Sequence, residues 1–246
     1  MSSKVTTNVP EHLFTLALYV PVVKKKRENN NIPDVESLTP EQREVYEEII
    51  RYLRGELDKG IRMIVLKGYA GTGKTYLITQ VLKWYVLMMQ NNISVTAPTN
   101  KAVKILRSTA NFEHSLISYK TVYKLYGLKE KIDEESGKIT FEKEFGAESD
   151  VDEIEALIHD ETSMLNDPIF DLINNSVDRM RDVADNRAKT VGTGNLDDLL
   201  SSLSNKKQRT YTDNLKVIFL GDPVQIPPVG KADCIPFNEN NADDYG

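Results

Sequence analysis

The chain has 246 residues, 40% of them hydrophobic, which suits one large domain, or one with substantial tails, around a real core. With 37 acidic against 31 basic side chains the formal net charge is −6. That balance excludes nucleic-acid binding through the field of the whole molecule, so any such contact must come from a local patch.

Residues 1 to 37 read as an N-terminal tail. Their apolar stretch, Leu13 to Val23, is too short to span a bilayer. It has neither a charged leader nor a small-residue cleavage site, so a cytoplasmic protein without a membrane partner is expected. The basic run Lys24-Lys25-Lys26-Arg27 is either a solvated linker or a contact for nucleic-acid phosphates.

Order is expected from Leu38. Thr39-Pro40-Glu41-Gln42 has the form of a helix start, with Thr39 as N-cap, Pro40 in the first position and Gln42 closing a capping box. Val45, Ile49 and Leu53 continue at helical spacing. Ile61 to Leu66 is a short buried-strand run, and a helix is expected from Lys74, with Leu77, Ile78, Val81, Leu82 and Tyr85 on one side. Ile93 to Ala97 gives the next strand and Asn100 to Arg107 the next helix. Strand and helix alternating over short links imply parallel strands with crossover helices.

Residues 125–150 break this alternation. Two alternating segments flank Asp133-Glu134-Glu135-Ser136-Gly137, which predicts an exposed β-hairpin. The parallel pattern resumes over 151–235, with strands at Ile154 to His159 and Leu215 to Leu220. Between them lies an insertion at about 167–214, whose half from Asn186 to Thr212 is polar and glycine-containing and is expected to be mobile. The lone cysteine, Cys234, excludes an internal disulfide and agrees with a reducing compartment. Residues 236–246 read as a C-terminal tail.

The strongest motif is Gly68-Tyr69-Ala70-Gly71-Thr72-Gly73-Lys74-Thr75, of the form G-x-x-x-x-G-K-T between a strand and a helix. Glycines let the backbone curl until successive N–H groups face a phosphate, and the helix N-terminus adds favourable partial charge. Gly68, Ala70, Gly71, Thr72 and Gly73 therefore line a candidate ATP site. Lys74 would reach the β- and γ-phosphates and the Thr75 hydroxyl would ligate magnesium. The apolar run Leu157-Ile158-His159 ends in Asp160-Glu161. Beside a phosphate loop, Asp160 would hold Mg2+ and Glu161 would polarise the attacking water. The same pair could instead cap the next helix. A third strand ends in Gly221-Asp222-Pro223-Val224-Gln225, either an ordinary turn or a segment placing Gln225 at the γ-phosphate.

These segments, with Leu38 to Gln42 and Ala97-Pro98-Thr99-Asn100-Lys101-Ala102, fall in the order seen in superfamily 1B DNA helicases. The sequence resembles the RecD-like group and, within it, the phage Dda-type enzymes, over residues 38 to 232. The resemblance implies an α/β fold: a RecA-like P-loop NTPase parallel sheet with helices on both faces and a small β-hairpin insertion, the motor domain running from 38. It implies that Gln42 contacts adenine, although the capping box needs the same side chain, and that Gln225 senses the γ-phosphate. Pro98, Thr99, Asn100 and Lys101 would touch single-stranded DNA, with plain N-capping as the other reading. Thr121 and Tyr123 match the next DNA-contacting segment, but the family usually has histidine where this chain has Tyr123. Phe141, in the hairpin, would either stack at a fork or pack the hairpin down.

The resemblance further implies ATP hydrolysis, 5′-to-3′ translocation, partners in single-stranded and fork DNA, and replication proteins as candidate partners. It also leads to the expectation that the chain is truncated before a second RecA-like domain, supplied in cis or in trans, that brings an arginine finger. The competing expectations are a nucleotide- or DNA-binding module without turnover, and a helicase-loader or recombination ATPase.

Overall fold

The computed structural model describes residues 13–18, 31–57, 60–132, 139–143, 146, 149–192 and 215–222, with the backbone alone at 13–18, 130, 132, 139–141 and 183–192. Its elements in chain order are β1 (Leu13–Leu18), α1 (Pro40–Leu53), β2 (Met63–Gly68), α2 (Lys74–Met88), β3 (Ile93–Ala97), α3 (Asn100–Ala110), β4 (Ile117–Thr121), α4 (Val122–Leu125), β5 (Leu128–Ile132), β6 (Ile139–Lys143), β7 (Ala156–His159), α5 (Asp167–Gly192) and β8 (Lys216–Gly221).

Six strands form one sheet in the order β1-β2-β8-β7-β3-β4. All its pairings are parallel. Parallel neighbours need crossover helices, and these cover both faces, so the strands read as apolar runs rather than alternating ones. Alternation survives in which helices each residue meets. Ile64 and Leu66 of β2 pack with α1 and α2, whereas Met63 and Val65 pack with α4 and α5. Phe219 of β8 is fully buried on the second face against Phe170 of α5, with ring centroids 5.7 Å apart. This is the RecA-like α/β fold.

α1 starts as its sequence dictates. The Thr39 hydroxyl accepts the Gln42 N–H at 3.2 Å, and the Gln42 side-chain oxygen accepts the Thr39 N–H at 3.1 Å. Such a box is worth about 1 kcal/mol.

Residues 128–143 form an antiparallel hairpin, β5 against β6, with Glu130 opposite Phe141. It leaves directly after α4 through Gly127 at φ 63°.

Two expectations are corrected, and one strand is new. Residues 1–37 are not merely a tail: Leu13–Leu18 adds a parallel strand beside β2, and Val35 packs onto the α1–α2 core. β1 is the outermost strand of the described sheet, and by pairing with β2 it covers the edge of the phosphate-loop strand. The polar half of the insertion begins inside a helix, because α5 runs 26 residues to Gly192. Ile169, Phe170, Ile173, Val177 and Met180 give its described part a buried stripe. β4 was not foreseen at all.

Candidate nucleotide and nucleic-acid sites

In parallel α/β sheets ligands lie beyond the carboxyl ends of the strands. Here that edge carries every described candidate except Gln42 and Phe141. The phosphate loop follows β2, Asp222 follows β8, Asp160-Glu161 follows β7, Pro98 to Lys101 follow β3, and Thr121 to Tyr123 follow β4. The sheet order therefore spreads them into a row with the phosphate loop toward one end and the Thr99 and Thr121 segments at the other. β2 and β3 are three strand spacings apart, roughly 14 Å.

Gly73 caps α2 in the left-handed region, at φ 83° and ψ 22°, with no side-chain cap. A side chain is strained there, so glycine is required. Gly71 shares the sign of φ, at 83°, and an added Cβ would meet nothing within 4 Å; conformation rather than space demands glycine at that position. The Lys74 ammonium folds onto the carbonyls of Gly68 and Tyr69, the latter at 3.0 Å. Burial pushes Lys74 below the ordinary lysine range, while Asp160 and Asp222 nearby pull it back up. Thr75 lies half-buried in the first turn of α2, next to Lys74.

Two side chains outside the motif hold the loop. Gln42, 1% exposed, donates its amide to the Thr72 carbonyl at 3.0 Å while its oxygen serves the capping box. Thr72 is itself buried, and its hydroxyl bonds the Tyr69 carbonyl at 2.9 Å. Asp222, buried at the end of β8, accepts the Ala70 N–H through Oδ2 at 2.9 Å. Ala70 thus gives its amide to a carboxylate. Sequence reasoning named Asp222 in its motif without a role. An acid directly after an apolar strand was the available signal, the same one that marked Asp160.

Asp160 and Glu161 form a tight turn. Glu161 occupies the left-handed region, φ 53° and ψ 42°, without a side-chain cap bond, so the pair does not cap a helix through Glu161. A non-glycine residue there costs on the order of 1–2 kcal/mol. Its N–H donates to Asp160 Oδ1 at 2.9 Å, its carbonyl accepts the Met164 N–H at 3.0 Å, and Thr162 Oγ1 donates to the His159 carbonyl at 3.0 Å. Burial raises the Asp160 carboxyl above the usual range. Among the described residues no cluster of three or more His, Cys, Asp or Glu side chains could hold a metal. Thr75 plus Asp160 still suits magnesium, which keeps several waters and takes phosphate oxygens as ligands.

Behind this turn His159 is fully buried, and burial holds its imidazole down at about 3. Nδ1 lies 2.9 Å from Thr96 Oγ1, which also reaches the Ile158 carbonyl at 3.2 Å, while Nε2 has no partner. A neutral ring with the proton on Nδ1 fits: Thr96 donates to the carbonyl, and only a lone pair is left unpaired.

At the other end Thr99 caps α3, its hydroxyl accepting the Ala102 N–H at 3.1 Å. Thr99, Asn100 and Lys101 are exposed, whereas Pro98 is buried. Thr121 is buried as the N-cap of α4, accepting the Lys124 N–H at 3.3 Å. Tyr123 is half-buried against the α5-side core. Gln225 and the side chain of Phe141 lie outside the described residues.

Among the described residues no helix is long and apolar enough to cross a membrane. An uncharacterized protein of Acanthamoeba polyphaga mimivirus, R530, is 27% identical over 188 residues, 72% of this chain and 31% of that protein. The chain thus spans about a third of that relative's length. Among solved structures, Bacteroides Pif1 in complex with ADP-AlF4 is 22% identical with a TM-score of 0.41, covering 84% of this chain and 36% of that one. The Pif1 helicase of Candida albicans is 18% identical at a TM-score of 0.42, covering 82% and 37%. A family described as AAA domain matches residues 57–231, taking in the phosphate loop, the acidic pair and the Asp222 segment at once. The chain belongs to this AAA domain family.

Proposed function

We propose that this chain is the ATP-binding motor domain of an ATP-dependent 5′-to-3′ DNA helicase, which hydrolyses ATP to translocate on single-stranded DNA and unwind duplex at forks. The observation that carries the reading is the single row along the carboxyl edge: phosphate loop, the acids Asp222, Asp160 and Glu161, then exposed Thr99, Asn100 and Lys101. Polarity rests on the sequence resemblance alone.

Gly71 to Thr75 supply backbone amides and the α2 N-terminus to the phosphates, and Lys74 supplies the ammonium. Bound magnesium, held by Thr75 and Asp160, would neutralise charge on the β- and γ-phosphate oxygens. Glu161 accepts a proton from the water that attacks the γ-phosphorus, and the bond to the leaving ADP oxygen breaks. Gln225 is assigned to sense the γ-phosphate. An arginine from a second RecA-like domain, in cis or in trans, completes the site. Arg51, Arg54, Arg62, Arg107 and Arg179 each pair with an acid away from the phosphate loop. Asn100, Thr99 and Lys101 hold DNA phosphates through a helix N-terminus, and Thr121 and Pro98 shape that end from within.

The test separates binding from turnover. Lys74→Ala should weaken nucleotide binding by about a hundredfold or more. Glu161→Gln should keep it and lose hydrolysis by about 10²–10⁴-fold. Nucleotide binding by the parent protein with no hydrolysis for Glu161→Gln to remove, even with single-stranded DNA and a second RecA-like domain supplied, would favour the binding module without turnover.

A further inference from the structure

We propose that Asp222 is a positioning residue for nucleotide binding, clamping the mouth of the phosphate loop to β8 through the Ala70 amide. The inference rests on the reading that this loop takes nucleotide phosphates.

β2 and β8 are hydrogen-bonded neighbours with Lys67 opposite Gly221, so the next residue of β8 stands at the point where the loop leaves β2. Asp222 is buried there and its Oδ2 meets the Ala70 N–H at 2.9 Å. Two residues further on, Gln42 from α1 takes the Thr72 carbonyl at 3.0 Å. The glycine-rich loop has little conformational preference of its own. Two buried side chains, from opposite flanks of the motif, fix one amide and one carbonyl. Gly71, at φ 83°, turns the chain between them.

A backbone N–H has one proton, so an amide bonded to a carboxylate at this distance is not also a good phosphate donor. Ala70 is thereby withdrawn from the expected set of phosphate ligands, leaving Gly71 to Thr75. The carboxylate also fixes the chain where the Gly68 and Tyr69 carbonyls receive the Lys74 ammonium. What the clamp contributes is a hydrogen-bond acceptor in the right place, and the role does not require the negative charge.

The experiment compares Asp222→Ala and Asp222→Asn in the 246-residue chain. Readouts are equilibrium titration with fluorescent ADP with and without magnesium, and hydrogen exchange at the Ala70 amide without nucleotide. The clamp predicts that Asp222→Ala speeds exchange at Ala70 and weakens ADP binding by about tenfold, with or without magnesium. Asp222→Asn, which keeps an acceptor oxygen, should restore both to near the parent values. Asp222→Asn binding as poorly as Asp222→Ala, with the defect confined to magnesium, would make Asp222 a metal ligand and overturn the proposal. Tighter binding by Asp222→Asn would make the carboxylate a competitor of phosphate and overturn it as well, as would an unchanged Asp222→Ala. Failure of the parent protein to bind ADP would instead refute the functional reading, and Ala70 exchange would still decide whether the clamp exists.

Discussion

The two ends of the carboxyl edge are built on opposite principles. At the nucleotide end the polar groups are buried and bonded to one another: Gln42 is 1% exposed, Thr72 4% and Asp222 5%. At the other end Thr99, Asn100 and Lys101 stand in solvent, with the Thr99 hydroxyl fixed by its cap to Ala102, above the buried Pro98 and Thr121. A triphosphate presents the same oxygens each time, so a rigid, desolvated cradle suits it. A moving strand must be gripped and released, which exposed, screened contacts allow. Removing a buried brace at the first end should therefore show in stability and affinity together, removing the Lys74 charge in affinity alone, and damage at the second end in salt dependence alone.

The largest effect tests the cradle's charge. Lys74→Ala should reduce nucleotide affinity by about a hundredfold or more while leaving the melting temperature within a few degrees, measured by titration and calorimetry. A large loss of stability instead would make Lys74 a brace of the loop, like Gln42 and Asp222, and not a group held ready for phosphate.

Gln42→Ala sharpens the contrast, because it strips the Thr72 carbonyl and the α1 cap of their partner at once. It should cost about 1–3 kcal/mol of unfolding free energy and weaken nucleotide binding. A stable variant that loses discrimination among bases would show adenine contact to be the main role of Gln42.

The buried imidazole behind the acidic turn gives a pH signature. The His159 pKa is held near 3 in the folded protein against 6.5 for the free side chain. Below about pH 6.5 the unfolded chain takes up a proton that the folded one refuses. Stability should therefore fall as pH drops from there toward 3, by up to about 1.4 kcal/mol per pH unit. Urea unfolding of His159→Asn should lack that part of the slope, and an equal slope in both proteins would contradict the assignment.

The smallest effect lies at the exposed end. Lys101→Ala should lower the dependence of log affinity for single-stranded DNA on log salt by about one unit and leave stability unchanged. An unaltered salt slope would remove Lys101 from the strand contact.

The contrast between the ends also explains what was legible in the sequence. Gly68 to Thr75 announced themselves because a phosphate loop is one contiguous segment whose backbone demands glycine. α1 was readable to its first residue, since a capping box is local. β1 and β4 were missed or misjudged because their place depends on pairing with β2 and β3, which are distant in the chain or separated from them by a helix. The start of the polar stretch at Asn186 misled because composition was weighed over periodicity, and α5 continues to Gly192. The braces from Gln42 to Thr72 and from Asp222 to Ala70 span 30 and 152 positions, and no window of sequence contains both partners. Thr121 was named only through the resemblance, and neither the short helix it caps nor its burial there was readable.

The central claim is that one edge joins a nucleotide site to a nucleic-acid site. Its most direct test is the coupling free energy between them. Fluorescent ATP-analogue affinity should be measured on the parent protein with and without a saturating single-stranded oligonucleotide, and oligonucleotide affinity with and without the analogue. The account predicts equal factors in the two directions, several-fold in size, abolished by Lys74→Ala. Both ligands binding with no mutual effect, or nucleotide affinity undiminished by Lys74→Ala, would contradict it.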